Sequence, residues 1–158
     1  MFKAAQMEMS ERFGPIDAVG EVVTFDFTDY YAEEMGPGLL RKFVGFERLI
    51  NPKELASAKL FTNELEEKMC ERFESDRRIV NLDPGYVSLA KVVLATTKDY
   101  SHRIYLGDGI FAEVTLHFSN GCFNPWPWTY PDYQSETYHR FFQSIRQQYL
   151  EALKKAGP

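Results

Sequence analysis

The sequence predicts an α+β fold: a mostly antiparallel sheet with packed helices, closing in a C-terminal hairpin and a long helix. Three observations carry this. A capped helix signal opens at Asn51. Apolar and polar residues alternate on both sides of a Gly-Asp-Gly turn between Arg103 and Phe118. Apolar residues recur at helical spacing from Tyr138 to Leu153.

At 158 residues the chain fits one domain, 1–158. Aromatic residues make up 15% of it, enough to expect a Phe-rich core. The net charge of −5 argues against DNA binding through a basic surface. The two cysteines, Cys70 and Cys122, form no CxxC pair, so no zinc site and no other metal site is expected from them. No stretch reaches the roughly 18 apolar residues of a membrane span, and the N-terminus lacks the apolar core of a signal peptide. The expectation is a cytoplasmic protein with reduced thiols and no membrane partner.

The elements follow in order. Phe2, Ala5, Met9 and Phe13 share a helical face over Met1–Phe13, and Gly14-Pro15 ends it. Glu21–Phe27 alternates as a strand, and Asp29–Gly38 reads as a polar loop closed by Gly36-Pro37-Gly38. Arg41–Ile50 fits a strand better than a helix, because of Phe43, Gly45 and Phe46. Asn51 then supplies an N-cap, Pro52 a first helical residue and Glu54 the capping-box acid. That helix keeps Leu55, Ala58, Thr62, Leu65, Met69 and Phe73 on one face to about Glu74.

Arg78–Leu82 reads as a short strand closed by an Asp83-Pro84-Gly85 turn. Ser88–Ala95 fits either a capped helix or a buried strand. Ile110, Ala112, Val114, Leu116 and Phe118 alternate onto one face, and Ile104 and Leu106 join them only if the hairpin loop is the three residues Gly107–Gly109. This register pairs 104 with 112, 105 with 111 and 106 with 110, and sets Arg103 opposite Glu113. At a surface such an ion pair contributes only ~0.2–1 kcal/mol. Ser119-Asn120-Gly121 turns the chain again. Three prolines within Phe123–Tyr133 point to a rigid aromatic loop instead of a helix or central strand. The last helix runs from about Ser135 to Lys155, with Lys154 and Lys155 suiting its dipole.

The blocks FDFTDYYAEEMGPG, KLFTNELE, NLDPGY, TTKDYSHRIYLGDGIFAEVTL and PWTYPDY together resemble an uncharacterised bacterial and archaeal family, domain of unknown function 4416. The resemblance spans about Phe13 to Phe142. It implies no established activity, cofactor or catalytic residue. Some relatives carry a GTP-binding label, which this chain does not support, because it lacks the GxxxxGK[ST] loop. The resemblance also implies an apolar strand before the first helix, giving a ferredoxin-like βαββαβ first half. This chain starts inside that helix. The expectation is therefore a first half without its first strand, with the remaining strands pairing directly or a homodimer forming through the gap.

Four groups of residues are site candidates. Lys98, His102 and Arg103 form a basic loop suited to a small anionic, phosphate-bearing ligand, with Tyr105 beside them. His102 is the residue type that exchanges protons near neutral pH. Asp83 and Glu113 would orient this set or share its proton transfer, which makes His102, Asp83 and Glu113 the catalytic candidates. The plainer readings are a solvated loop with Asp99 as internal counter-ion, and Asp83 as a turn residue. Asp26, Asp29, Glu33, Glu34, Glu64, Asp83 and Glu113 are the acidic residues that could converge on Mg²⁺ or Mn²⁺, the plainer reading being a solvated surface. Glu113, Thr115 and His117 share a polar strand face with Arg103 and Tyr105, which Phe111 makes more like a covered floor than a wet one. Finally, Trp126, Trp128, Tyr130 and Tyr133 sit on the proline-stiffened loop, where they either grip a partner or plug the core. The leading expectation is anion binding at the Lys98–Arg103 loop. The alternative is a non-catalytic interaction module using Phe123–Tyr133.

Overall fold

A computed structural model describes residues 1–25 and 32–157. The fold is α+β, with antiparallel pairing in every described ladder. The chain divides into two compact units, Met1–Leu82 and Asp83–Pro158.

The first unit opens with α1 (Phe2–Phe13), which ends where Gly14 takes φ 95°. β1 (Ile16–Val19), β2 (Val23–Thr24), β3 (Leu40–Arg41) and β4 (Val44–Phe46) follow, with the short helix α2 (Ala32–Met35) between β2 and β3. β1 pairs with β4 and β2 with β3, so the four pieces form one antiparallel ribbon. Gly20 N–H donates to Phe43 O (2.9 Å) at the interruption between them. Of the expected strand Glu21–Phe27, Val23–Thr24 forms strand while Asp26 and Phe27 lie outside the described residues, and an unforeseen strand precedes it at Ile16. Arg41–Ile50 contributes strand in two short pieces.

The capping box at Asn51 forms as read. Its Oδ1 accepts from Lys53 N–H (3.1 Å), and Glu54 Oε1 accepts from Asn51 N–H (2.9 Å). It caps a single 3-10 turn, Pro52–Glu54, that feeds α3 (Leu55–Arg72). Ala5, Met9, Leu65, Met69 and Val80 make the core, with Phe13, Phe46 and Phe61 packed against it and Phe13 edge to face with each of the other two rings.

Arg78–Leu82 does not form the expected strand; among the described residues it has no ladder. Helix side chains replace part of that ladder. Lys59 Nζ donates to Leu82 O (2.8 Å), and Glu66 Oε1 accepts from Leu82 N–H (2.6 Å). Both charged residues are buried, one from each end of a two-turn stretch of α3.

The second unit is a five-stranded antiparallel sheet with one long helix. β5 (Gly85–Val87) and β6 (Lys91–Thr96) form a hairpin, so the open choice over Ser88–Ala95 resolves to strand. Ser88 Oγ accepts from Ala90 and Lys91 N–H in its loop. The expected Asp83-Pro84-Gly85 turn is absent. Pro84 O accepts from Ala95 N–H (2.9 Å), and Gly85 is already in the ladder.

β7 (Ile104–Gly107) and β8 (Ile110–Ser119) form the expected hairpin, and Ile104 pairs with Ala112 and Tyr105 with Phe111. The loop differs. Gly107 pairs with Ile110, and Asp108 and Gly109 take φ 51° and 75° in a two-residue turn of the primed type. Leu106 becomes a bulge and absorbs the extra residue.

A second shift lies between β6 and β8, where Val92 pairs with Leu116 but Val93 with Val114, leaving Thr115 unmatched. This overturns the expected apolar face. Glu113 and Thr115 are buried, while Ile104 and Leu106 are exposed. β9 (Cys122–Pro125) returns along β8 after a turn at Asn120-Gly121, so the first part of the aromatic segment is an edge strand rather than loop. Proline at its end fits an edge. α4 (Glu136–Ala156) is capped by Ser135, and buries Tyr138 and Phe142 near Phe123 and Tyr133.

Candidate functional site

The second unit concentrates its polar chemistry on β8. On one flank, β8 pairs with β7 at its start and with β9 at its end. Between them the flank of residues 113–115 is open to other donors. Trp128 Nε1 donates to Val114 O (3.0 Å), and Thr129 Oγ1 donates to Thr115 O (2.5 Å). The proline-stiffened loop thus supplies by side chain the bonds a strand would supply by backbone.

Glu113 lies in this gap. Its Oε2 accepts from Arg103 Nε (2.8 Å), with Arg103 Nη2 also at 2.8 Å and His102 Nε2 at 3.0 Å. Oε1 meets Thr115 Oγ1 at 3.3 Å. Arg103 spends Nη1 on Lys98 O (3.0 Å). The Arg103 and Glu113 side chains are each 5% exposed, so the expected surface pair is a buried one. A desolvated charge keeps a partner or pays heavily.

His102 is also part of a column of rings. Tyr100 stacks on His102 (6.0 Å), His102 on Trp128 (5.1 Å), and Trp128 on Trp126 (5.2 Å), with His117 tilted on Trp126 (4.3 Å). The Arg103 guanidinium lies 4.6 Å from the Tyr100 centroid. Among the described residues, His117 Nδ1 is buried without a hydrogen-bond partner.

The fold therefore brings His102, Arg103 and Glu113 together, with the Lys98 backbone pinned to them. The Lys98 side chain is exposed. Tyr105 is 61% exposed, with its ring on Phe111 and its hydroxyl accepting from Gly109 N–H (3.4 Å) across the turn. Asp83 is exposed on the approach to β5, which lies beyond β6 from β8. Tyr130 is exposed and Tyr133 buried.

Of the acidic candidates, Asp26, Asp29 and the side chain of Glu33 lie outside the described residues. Glu34 pairs with Arg78 (3.4 Å) and Glu64 is exposed. Among the described residues no three His, Cys, Asp or Glu side chains are grouped to hold a metal ion. No helix there is long and apolar enough to cross a membrane.

Sequence reasoning missed Lys59, Glu66, Thr129 and Asp132 as buried polar residues. The available signal was Lys59 and Glu66 lying at i, i+7 along one border of the apolar face of α3.

The fold and site define an α+β protein whose second unit carries a buried carboxylate–guanidinium–imidazole cluster under stacked rings. The chain belongs to the family described as domain of unknown function (DUF4416), whose model matches residues 1–149. No curated protein and no solved structure matches the chain.

Proposed function

We propose that this chain is an interaction module whose docking surface is the edge strand β7. The observation that carries this reading is the exposure of three successive large apolar side chains there: Ile104 at 68%, Tyr105 at 61% and Leu106 at 41%. Edge strands are normally blunted with charge or proline, and 104–107 contains neither. An open apolar edge is where a partner adds a strand. The aromatic loop has a different task in this reading, since Trp126 and Trp128 are consumed by the ring column and by the gap in β8.

The partner we assign is a second copy of the chain. Antiparallel pairing centred on Tyr105 sets Ile104 against Leu106 and opposes no like charges, in spite of the net charge of −5. A patch of so few side chains is well under the ~800 Å² per partner of a standard interface, so the association should be weak and concentration-dependent. Sedimentation velocity over a wide concentration range tests it. A monomer–dimer equilibrium in the wild type that is lost in Ile104→Asp and Tyr105→Lys supports the reading. A wild type that stays monomeric throughout, or variants that dimerise as well as it does, overturns it.

A second reading keeps the small anionic ligand at the Lys98–Arg103 loop. It is favoured by the bond from Arg103 Nη1 to Lys98 O, which holds the loop's cations in one place. Because Glu113 occupies Arg103 and the Nε2 of His102, the anion would meet Lys98, with Arg103 and His102 positioning the loop from behind. Titration with inorganic phosphate, followed by thermal shift in wild type and Lys98→Gln, decides it. Stabilisation of the wild type alone supports the reading; equal responses or none refute it.

A further inference from the structure

His102 has two ring nitrogens, and Glu113 holds only one of them. Nε2 lies 3.0 Å from Glu113 Oε2. The same oxygen takes Arg103 Nε and Nη2 at 2.8 Å, which keeps the carboxyl ionised and able only to accept. Nε2 is therefore the nitrogen that carries the proton, and Nδ1 of the neutral ring keeps its lone pair. Among the described residues Nδ1 has no hydrogen-bond partner. It is not sealed either, unlike His117 Nδ1 and His139 Nε2, which are buried. The His102 side chain keeps 21% of its surface, and Nδ1 lies on that open part.

The ring is also held still. Tyr100 and Trp128 both stack on it, 19° and 14° from parallel. A carboxylate on one imidazole nitrogen fixes tautomer and orientation and makes the other nitrogen more basic. An imidazole held this way is a nucleophile. Attack through Nδ1 turns the ring into an imidazolium, whose Nε2–H already faces an ionised carboxylate. The electrophile that suits a loop carrying Lys98 and Arg103 is an anionic one, and the phosphoryl group is the common case.

From this we infer that His102 is a phosphoryl-acceptor site, modified on Nδ1 by a small anionic phosphodonor such as a phosphoramidate or an acyl phosphate. The inference rests on the anion-binding reading of the Lys98–Arg103 loop and names what the anion does there. With phosphoramidate, the Nδ1 lone pair attacks phosphorus, and an Nδ1–P bond forms as the donor's N–P bond breaks. Ammonia leaves with the donor's own protons. The ring keeps its Nε2 proton and gains a positive charge, and nothing is oxidised or reduced.

The test treats the full chain with phosphoramidate at neutral pH. Mass spectrometry locates the adduct, and phosphorus and nitrogen NMR identify the nitrogen that carries it. The expected result is a phosphoryl group on Nδ1 of His102, formed at least about tenfold faster than any adduct on His117 or His139. Glu113→Gln should slow it by about tenfold, the loss of one charge-assisted hydrogen bond to the developing imidazolium. Should Glu113→Gln fail to fold, the nitrogen modified in the wild type decides alone, because only a held Nε2 directs the group to Nδ1. No adduct, an adduct on Nε2, labelling of His117 or His139 as fast as His102, or an unchanged rate in folded Glu113→Gln overturns the inference. The phosphate titration with Lys98→Gln reports on anion binding alone, so the two can fail separately.

Discussion

Arg103 and Glu113 meet beside the β7–β8 hairpin with Nε and Nη2 each 2.8 Å from one carboxylate oxygen, and each side chain is 5% exposed. Such a pair is a poor source of net stability but a costly one to break from one side. Glu113→Leu, which strands the guanidinium, should destabilise the protein by about 3–5 kcal/mol. Arg103→Met with Glu113→Leu should recover most of that loss, since the pair is then replaced by apolar volume. Urea denaturation of both variants measures the difference. A single variant within the error of wild type would show that the pair is solvated.

The ring column and the gap in β8 make separable demands on Trp128. Its ring stacks between His102 and Trp126, and its N–H serves Val114 O. Trp128→Phe keeps an aromatic face and removes the donor. The expected cost is about 1–3 kcal/mol, the range for a buried acceptor left unsatisfied. Trp128→Leu should cost more, because the stack is lost as well. Equal losses in the two variants would mean that the stack contributes nothing beyond the N–H.

These contacts mark where the sequence stopped being legible. The helices were readable because their signals are local: Gly14 as a stop, Asn51 with Glu54 as a capping box, and apolar faces with a clear period. The β7–β8 pairing was readable from alternation, and so was the Arg103–Glu113 juxtaposition. Burial was not. Alternation predicts a dry face only while the register holds, and the unmatched Thr115 breaks it against β6. Two compensating one-residue choices, a shorter turn and a bulge at Leu106, preserve the pairs at 104 and 105 while changing the loop. The donors that fill the gap at Val114 and Thr115 come from fourteen residues away in sequence. Arg78–Leu82 has the composition of a strand, but its final residue is held by helix side chains. Long-range satisfaction of backbone groups leaves no trace in a local pattern.

Gly85 and Gly109 are required for different reasons, and alanine should separate them. At Gly85 a Cβ would sit 2.5 Å from Val93 O and 2.7 Å from Leu94 Cδ2, so the β5–β6 hairpin must spread. At Gly109 a Cβ meets nothing within 4 Å, but φ is +75°. Gly109→Ala should therefore cost about 1 kcal/mol of backbone strain. Gly85→Ala should cost about 1–3 kcal/mol, as an overpacked site does. Thermal melts of the two variants rank them, and a Gly109→Ala protein less stable than Gly85→Ala would contradict the close approach.

The clamp on Leu82 offers a test that reads one amide. Glu66 Oε1 accepts the Leu82 N–H at 2.6 Å, and Lys59 Nζ donates to Leu82 O at 2.8 Å, with both charged side chains buried. Removing the acceptor in Glu66→Leu frees the amide and also removes the carboxylate oxygen 3.8 Å from Arg78 Nε. The expected loss is about 1–3 kcal/mol globally. Hydrogen exchange at Leu82 should quicken by more than that global loss explains, because the amide loses its own acceptor. Glu66→Gln keeps an acceptor oxygen and should restore slow exchange at Leu82 while restoring stability only in part. Unchanged protection of Leu82 in Glu66→Leu would show that the helix side chain is not what holds this end of the segment.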